Sequence, residues 1–144
     1  MKSTRKFVLL VDVDNTQLQV EQLAKIVERV ESYGTINYIK LYGVNDKRLK
    51  AFTDLVVGRC CDVAPLLRSK LKSRKSILDT RIIVDAIKIA GTNIADSFAI
   101  VAGEGDYGYM LSALKAMDKF IAGRFNNDIN LSFCDVFLWD TEQM

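Results

Sequence analysis

Acidic side chains follow an apolar segment near the start of the chain, at a point where a strand would end. The segment Phe7–Val11 is apolar and rich in branched residues, which predicts a buried strand of a parallel sheet. Asp12, Asp14 and Asn15 follow it directly. Carboxylates beside a buried strand are costly unless a cation neutralises them, so this pattern predicts a divalent-metal site for phosphate chemistry. The alternative is a capped turn that Asn15 holds through a hydrogen bond.

A second acidic group follows the predicted strand Phe98–Ala102. Glu104 and Asp106 alternate there with Gly103 and Gly105. The glycines allow a tight turn and a close approach of the backbone to a ligand, which favours a binding site. Alternatively, both acids are loop residues that stabilise the start of the next helix.

A third acidic group lies on the predicted helix Ile77–Ala90. Asp79 falls in its first turn, where the helix dipole favours negative charge, and Asp85 lies on an otherwise apolar stripe. We therefore expect Asp85 to face inward or toward the edge of a cleft. The two acids are ~9 Å apart along the helix axis, so Asp79 is the better placed for a site near the helix start. The alternatives are a helix cap for Asp79 and an ion pair with Arg81 or Lys88 for Asp85.

The amino-acid composition excludes several kinds of catalytic and metal site. The 144 residues contain 49% apolar and 26% charged residues with a net charge of +2, which is typical of one globular domain spanning 1–144 and indicates no particular partner. Histidine is absent, which excludes His-dependent nucleophiles and His-ligated zinc. Cys60, Cys61 and Cys134 lack zinc spacing; with no signal-peptide pattern, we expect reduced thiols in a cytoplasmic protein. No apolar run is long enough to span a membrane.

Alternating segments would position the acids. Predicted strands cover Phe7–Val11, Thr35–Tyr42, Cys60–Ala64, Phe98–Ala102, Phe120–Ala122 and Leu131–Leu138. Predicted helices cover Val20–Tyr33, Asp46–Val57, Ile77–Ala90 and Tyr107–Met117. The alternation predicts an α/β fold, a three-layer sandwich with a mainly parallel, doubly wound central sheet. The segment before the third helix carries five cations that form either a phosphate-binding stretch or a solvated loop: Arg68, Lys70, Lys72, Arg74 and Lys75.

Taken together, the order and spacing of these motifs resemble the NYN domain family, the LabA-like branch of the PIN-like nucleases. The matching segments are Asp12–Asn15 (DVDN), Tyr42–Gly43, Lys75–Asp85 (KSILDTRIIVD), Gly103–Tyr107 (GEGDY) and Cys134–Phe137 (CDVF). The chain departs from the family pattern at Glu104, which replaces an aspartate, and at Gly105, which replaces a serine. The longer arm of Glu104 leads us to expect stronger activity with Mn²⁺ than with Mg²⁺.

The resemblance implies a metal-dependent ribonuclease that hydrolyses RNA phosphodiester bonds with carboxylate-bound Mg²⁺ or Mn²⁺. It implies a PIN-like, Rossmann-like sheet and allows a homo-oligomer. The implied metal-binding and catalytic acids are Asp12, Asp79 and Asp106, followed by Glu104 and Asp85. Asn15 would orient a carboxylate or contact the phosphate. The implied contacts to the RNA backbone are Lys70, Lys72, Arg74 and Lys75.

Two alternative functions remain open at this point. Asp12–Thr16 also looks like the first motif of HAD phosphatases, in which Asp12 would be a nucleophile and Asp14 a general acid and base. Against this reading, the chain leaves little room for a cap domain. A third possibility is a non-catalytic module on the same fold that binds RNA or protein.

Overall fold

Six parallel strands form the central sheet of the protein. A computed structural model describes residues 4–65 and 74–138, with the side chains of residues 4–64 and 80–138. The strands are β1 (Arg5–Asp12), β2 (Gly34–Val44), β3 (Cys61–Pro65), β4 (Ser97–Val101), β5 (Phe120–Arg124) and β6 (Val136–Phe137). The helices are α1 (Val13–Thr16), α2 (Val20–Glu31), α3 (Leu49–Val56), α4 (Arg74–Ala90), α5 (Gly108–Ala116) and α6 (Asp128–Leu131).

The strand order is β3-β2-β1-β4-β5-β6, and every neighbouring pair is parallel. The chain winds outward from β1 in one direction and then returns to β4 on the other side of β1. The prediction of a doubly wound α/β sheet is therefore confirmed. The point where the winding reverses, between β1 and β4, is where such sheets bind ligands.

Strand β1 is buried on both faces, as its continuous apolar sequence predicts. Phe7, Leu9 and Val11 pack with α2 and α3, whereas Val8 and Leu10 pack with α4 and α5. All five side chains are fully buried. Because side chains of a strand alternate between the faces of the sheet, one strand anchors both outer layers of the three-layer sandwich.

Near the end of β2, the backbone departs from regular pairing. Gly43 has a φ of 77°, in the left-handed region that favours glycine, and the register with β3 shifts between Tyr42 and Val44. The Tyr42–Gly43 segment is therefore a bulge inside a strand that continues to Val44, and the predicted strand end at Gly43 was too early.

The predicted strand Leu131–Leu138 was too long, because only its end forms a strand. Its first residue, Leu131, is the last residue of α6, whose N-cap Asn127 accepts a hydrogen bond at its side-chain oxygen from the backbone N–H of Asn130, at 2.8 Å. Only Val136–Phe137 pairs with β5. The apolar residues of this segment contact two different cores, because Leu131 packs on the α4–α5 side and Leu138 on the α2–α3 side. No helix in the described part of the chain is long and apolar enough to cross a membrane.

Candidate active site

The carboxyl ends of β1 and β4 bring the first two acidic groups to one edge of the sheet. Asp12 is the last residue of β1, and the loop 102–107 follows β4. An ideal Cβ on Gly103 would lie 3.7 Å from the carbonyl oxygen of Asn15. This contact places the loop directly beside α1, at the point where the winding of the sheet reverses. We call residues Gly103–Asp106 the acidic loop.

Asp12 is fully buried and fixed by its neighbours. One carboxylate oxygen accepts a hydrogen bond from the backbone N–H of Asn15 at 3.0 Å, and the other accepts from the side-chain amide of Asn15 at 2.7 Å. The hydroxyl of Thr16 donates to the Asp12 carbonyl oxygen at 2.5 Å. Asp12 thus caps α1, and Asn15 in turn orients the Asp12 carboxylate. The capped turn and the oriented carboxylate, both considered from the sequence, therefore occur together. Asn15 takes two of the roughly four acceptor positions of a carboxylate.

Both acids of the acidic loop are exposed to solvent. The Asp106 carboxylate accepts a hydrogen bond from the backbone N–H of Gly108 at 3.1 Å, which ties it to the start of α5. The backbone carbonyl oxygens of Glu104 and Gly105 accept hydrogen bonds, so the loop backbone is fixed and both acidic side chains extend from a defined position.

Two asparagines hold the acidic loop, and the sequence reasoning did not identify them. The Asn127 amide donates to the Glu104 carbonyl oxygen at 3.1 Å, and the Asn130 amide donates to the Gly105 carbonyl oxygen at 2.7 Å. The Asn130 side-chain oxygen also accepts from the Tyr107 N–H at 3.3 Å. Asn130 is 1% exposed. The signal was the asparagine-rich stretch directly after β5, since this strand ends at the same edge of the sheet.

Asp85 faces the sheet from α4 and is already paired. Its carboxylate lies 2.8 Å from the Lys40 ammonium and accepts a hydrogen bond from the Tyr42 hydroxyl at 2.5 Å. The expected inward or cleft-edge position is what the structure shows, but the ion-pair partner is Lys40 of β2. Tyr42 is the neighbour of Asp12 in the β1–β2 register, so this network lies one strand away from Asp12.

Electrostatics strengthen the network around Asp85. Partial burial would by itself raise the pKa of Asp85, but the hydrogen bonds from Lys40 and Tyr42 and the charges of Lys40 and Arg81 outweigh burial and lower it. Burial and the hydrogen bond to Asp85 raise the pKa of Tyr42 above its usual range. Asp85 is therefore ionised and compensated within the protein, and a role as a metal ligand stays a prediction.

The remaining predicted residues lie on or before α4. This helix begins at Arg74, three residues earlier than the sequence predicted, so Arg74 and Lys75 belong to its first turn. Asp79 is the sixth residue of the helix, so its predicted place in the first turn was wrong. Because α4 connects two parallel strands, its start points toward the carboxyl edge, and Asp79 lies nearer this edge than Asp85 does. The side chains of Arg74, Lys75 and Asp79 lie outside the described residues, as do Lys70 and Lys72 altogether. Their roles stay predictions.

Three of the acids predicted as metal ligands, Asp12, Glu104 and Asp106, lie at this edge of the sheet. Carboxylate oxygens are the ligands that Mg²⁺ and Mn²⁺ prefer, and the binding of a metal by these acids stays a prediction. Among the side chains that the structure describes, no three acids, histidines or cysteines lie together as a metal-binding group. That set does not include Asp79. Arg124, which the sequence reasoning also missed, ends β5 at this edge, and burial lowers its pKa.

A cavity of about 350 Å³ lies at the opposite edge, at the amino ends of β1, β4 and β5. Several of its cations are engaged in contacts within the fold. Lys115 pairs with Asp135 at 2.8 Å, Lys119 donates to the Ala95 carbonyl oxygen at 3.2 Å, and the Arg5 guanidinium lies 3.9 Å from the centre of the Phe120 ring. We place the candidate site at the carboxyl edge, because the buried acid and the acidic loop meet there.

Comparisons with known proteins agree with this fold. A crystal structure of a protein of unknown function from Vibrio parahaemolyticus is similar, with a TM-score of 0.69 and 22% sequence identity over 95% of this chain and 94% of that chain. At that identity the likeness shows the fold alone. No curated protein matches the chain. The family model of the NYN domain matches residues 6–139, which is nearly the whole chain. This protein therefore belongs to the NYN domain family, within the PIN-like nuclease superfamily.

Proposed function

We propose that the protein is a metal-dependent ribonuclease that hydrolyses phosphodiester bonds of RNA at the carboxyl edge of its sheet. One observation carries the proposal. A fully buried aspartate, Asp12, is oriented by Asn15 and faces the same edge as a fixed loop with two exposed acids, in a chain of a nuclease family. Solvated loop acids and a simple turn cap would not require a carboxylate to be buried at this place.

In the proposed reaction, the position of each residue would determine its role. Asn15 holds the Asp12 carboxylate in one orientation, as outer hydrogen-bond partners do for metal ligands. Glu104 and Asp106 add negative charge from the acidic loop, and Asp79 would add more from the second turn of α4. A bound Mg²⁺ or Mn²⁺ would supply an activated water and neutralise charge on the phosphate. The cations Lys70, Lys72, Arg74 and Lys75 would bind the RNA backbone.

Asp12→Asn tests the proposal most directly. We expect metal-dependent cleavage of RNA to fall by orders of magnitude, because the substitution removes a ligand charge. The change also replaces a buried hydrogen-bonded carboxylate, so it should cost about 1–3 kcal/mol of unfolding free energy, and circular dichroism must verify the fold. Asp14→Asn is the matched control. Asp14 is half-buried on α1, and its loss should reduce cleavage far less.

The same two variants separate the nuclease from a phosphatase. A phosphatase of the HAD type would need both Asp12 and Asp14, would hydrolyse small phosphate monoesters and would form a beryllofluoride adduct on Asp12. We expect no hydrolysis of phosphate monoesters, no adduct on Asp12, and only a small loss of RNA cleavage in Asp14→Asn. Normal RNA cleavage by Asp12→Asn, or an adduct on Asp12 in a crystal, would reject the nuclease proposal. Tight RNA binding without cleavage under any metal would replace it with a binding module.

A further inference from the structure

Lys40 lies inside β2, on the face of the sheet that α4 covers. Its side chain is only 16% exposed, and its neighbour on β1 in the register of the sheet is Leu10, which is fully buried. Lysine is rare in such surroundings unless its charge is paired. An apolar residue would suit this position for packing alone, so the contacts of Lys40 must explain its presence.

Lys40 and Tyr42 of β2 bind the same carboxylate oxygen of Asp85 on α4. The Lys40 ammonium lies 2.8 Å from this oxygen, and the Tyr42 hydroxyl donates to it at 2.5 Å. The ammonium also lies 5.3 Å from the centre of the Tyr42 ring. We call these three residues the β2–α4 clamp. Because desolvation offsets most of the gain from a buried ion pair, the best-supported role of such pairs is to specify one arrangement of the parts they join.

The apolar packing of α4 specifies its position only weakly. Among the side chains of α4 that the structure describes, the buried ones are Ile82, Ala86 and Ala90. Two of these three are alanines, whose short side chains interdigitate little with the sheet, and close interdigitation is what selects one packed arrangement. The β2–α4 clamp therefore supplies the directional contact that fixes how far along the sheet, and at what rotation, α4 lies.

Asp79 lies on the same helix, six residues before Asp85. The two positions are about 9 Å apart along the helix axis and differ by about 120° around it. Because a helix moves as a stiff body, a slide or rotation at Asp85 also displaces the backbone at Asp79. On the sheet, Tyr42 is the neighbour of Asp12 in the β1–β2 register. The clamp thus connects the helix that carries Asp79 to the strand beside Asp12.

We infer that Lys40 is a positioning residue of the proposed site: through Asp85 it fixes α4, so that Asp79 is held at one distance from Asp12. This inference rests on the proposed function. A hard divalent cation binds well only when its ligands are close to ideal positions, and Mg²⁺ is the stricter of the two cations. A displacement of about 1 Å is enough to reduce a rate about 100-fold. Lys40 acts only through the helix and contacts neither cation nor RNA.

The test compares the full-length wild type with Lys40→Met, Lys40→Arg and Lys50→Met. Methionine is also long and flexible but has no charge, whereas arginine keeps the charge. Lys50 pairs with Asp54 at 2.7 Å on the exposed surface of α3, so Lys50→Met is the matched control for the loss of a lysine–aspartate pair. Titration calorimetry measures the Kd of Mn²⁺ without RNA, and cleavage assays measure kcat and KM for RNA at saturating Mn²⁺, all well below the melting temperature.

We expect Lys40→Met to raise the Kd of Mn²⁺ about 10- to 100-fold, as is typical when a residue that orients a metal ligand is lost. It should also lower kcat while the KM for RNA hardly changes. Lys40→Arg should keep most of the Mn²⁺ affinity, and Lys50→Met should match the wild type. Tyr42→Phe should raise the Kd in the same direction, and it tests the clamp even if Lys40→Met does not fold.

A double-mutant cycle tests whether Lys40 acts through Asp79. Asp79→Asn alone should weaken Mn²⁺ binding, and Lys40→Met should add little to that loss, because the ligand that the clamp positions is already gone. If the two losses add in full, Lys40 does not act through Asp79 and the inference is wrong.

Two further outcomes overturn the inference and differ in what they mean for the proposed function. If Lys40→Met and Tyr42→Phe only lower the melting temperature and bind Mn²⁺ like the wild type, the clamp is purely structural and the ribonuclease proposal stands. If the wild type binds no Mn²⁺, or Asp12→Asn binds it equally well, the proposed metal site itself fails and the inference fails with it.

Discussion

Asp85 carries a negative charge that its neighbours compensate inside the protein. Lys40 is only 16% exposed and lies between Asp85, at 2.8 Å, and Asp62, at 3.5 Å. The hydroxyl of Tyr42 adds a hydrogen bond to the same Asp85 oxygen. The network connects α4 to β2 beside Asp12. These contacts favour a structural role in which Asp85 holds α4 against the sheet.

We expect Asp85→Asn to lower the unfolding free energy by about 1–3 kcal/mol, because it removes the charged acceptor of two hydrogen bonds and leaves Lys40 poorly paired. Tyr42→Phe should cost less, and the two changes together should cost less than their sum, since they share one bond. Urea unfolding measures all three. Asp54→Asn removes an exposed pair with Lys50 within one helix and should have little effect.

A different result would reassign Asp85. If Asp85→Asn is as stable as the wild type but its melting temperature no longer rises with Mn²⁺, while that of Tyr42→Phe still does, Asp85 is a metal ligand.

At the scale of elements, α6 supports the acidic loop through side-chain amides. A loop with two glycines has little packing of its own to fix it. Asn127 and Asn130 supply three hydrogen bonds to its backbone and to that of Tyr107, and one of these amides is almost completely buried. The asparagines at the start of and within this short helix thus hold the backbone from which Glu104 and Asp106 extend.

We expect Asn130→Ala to lower the unfolding free energy by about 1–3 kcal/mol, because it leaves the Gly105 carbonyl oxygen and the Tyr107 N–H without this partner. RNA cleavage should fall further than this loss of folded protein explains, since the acids of the loop lose their fixed position. Thermal unfolding and cleavage rates, measured well below the melting temperature, test both effects.

Ser132→Ala, an exposed change at the end of α6, is the control and should alter neither quantity noticeably. An Asn130→Ala protein that is destabilised but cleaves at the wild-type rate would mean that the loop does not need this support for activity.

For the whole molecule, the winding of the sheet decides which distant segments meet. Asp12 and the acidic loop are about ninety residues apart in sequence, yet the parallel pairing of β1 with β4 places them side by side. The start of α4 points to the same edge because α4 returns between parallel strands. A ligand bound at this edge would contact parts of both halves of the fold.

We therefore expect a divalent cation to stabilise the entire domain. Binding to the folded state alone adds about 2.7 kcal/mol when the free cation is 100-fold above its Kd, which corresponds to several degrees in melting temperature for a chain of this size. Mn²⁺ should raise the melting temperature more than Mg²⁺, and EDTA should reverse the shift. Differential scanning calorimetry measures this without any substrate.

Asp12→Asn and Asp106→Asn should reduce the shift, whereas Asp54→Asn should keep it. An Mn²⁺ shift that survives the loss of both Asp12 and Asp106 would mean that the ion binds elsewhere. It would then contradict the proposed site.

The sequence by itself determined the local features of this protein. The continuous apolar run of β1 predicted a buried strand, and alternation of segments predicted a parallel, doubly wound sheet; both are confirmed. The order of motifs predicted the NYN family, which the match over residues 6–139 confirms. These features could be predicted because they depend on the pattern of apolar residues that are close together in sequence.

Only the tertiary structure decided which partners the polar groups take. Asp85 pairs with Lys40, forty-five residues away, and Asn130 holds Gly105, twenty-five residues away. The segment after β5 was mistaken for a strand because its apolar residues alternate irregularly between two cores, and because a helix cap by Asn127 competes with strand pairing there. Such choices depend on which surfaces the sheet topology brings together, and spacing along the chain does not contain that information.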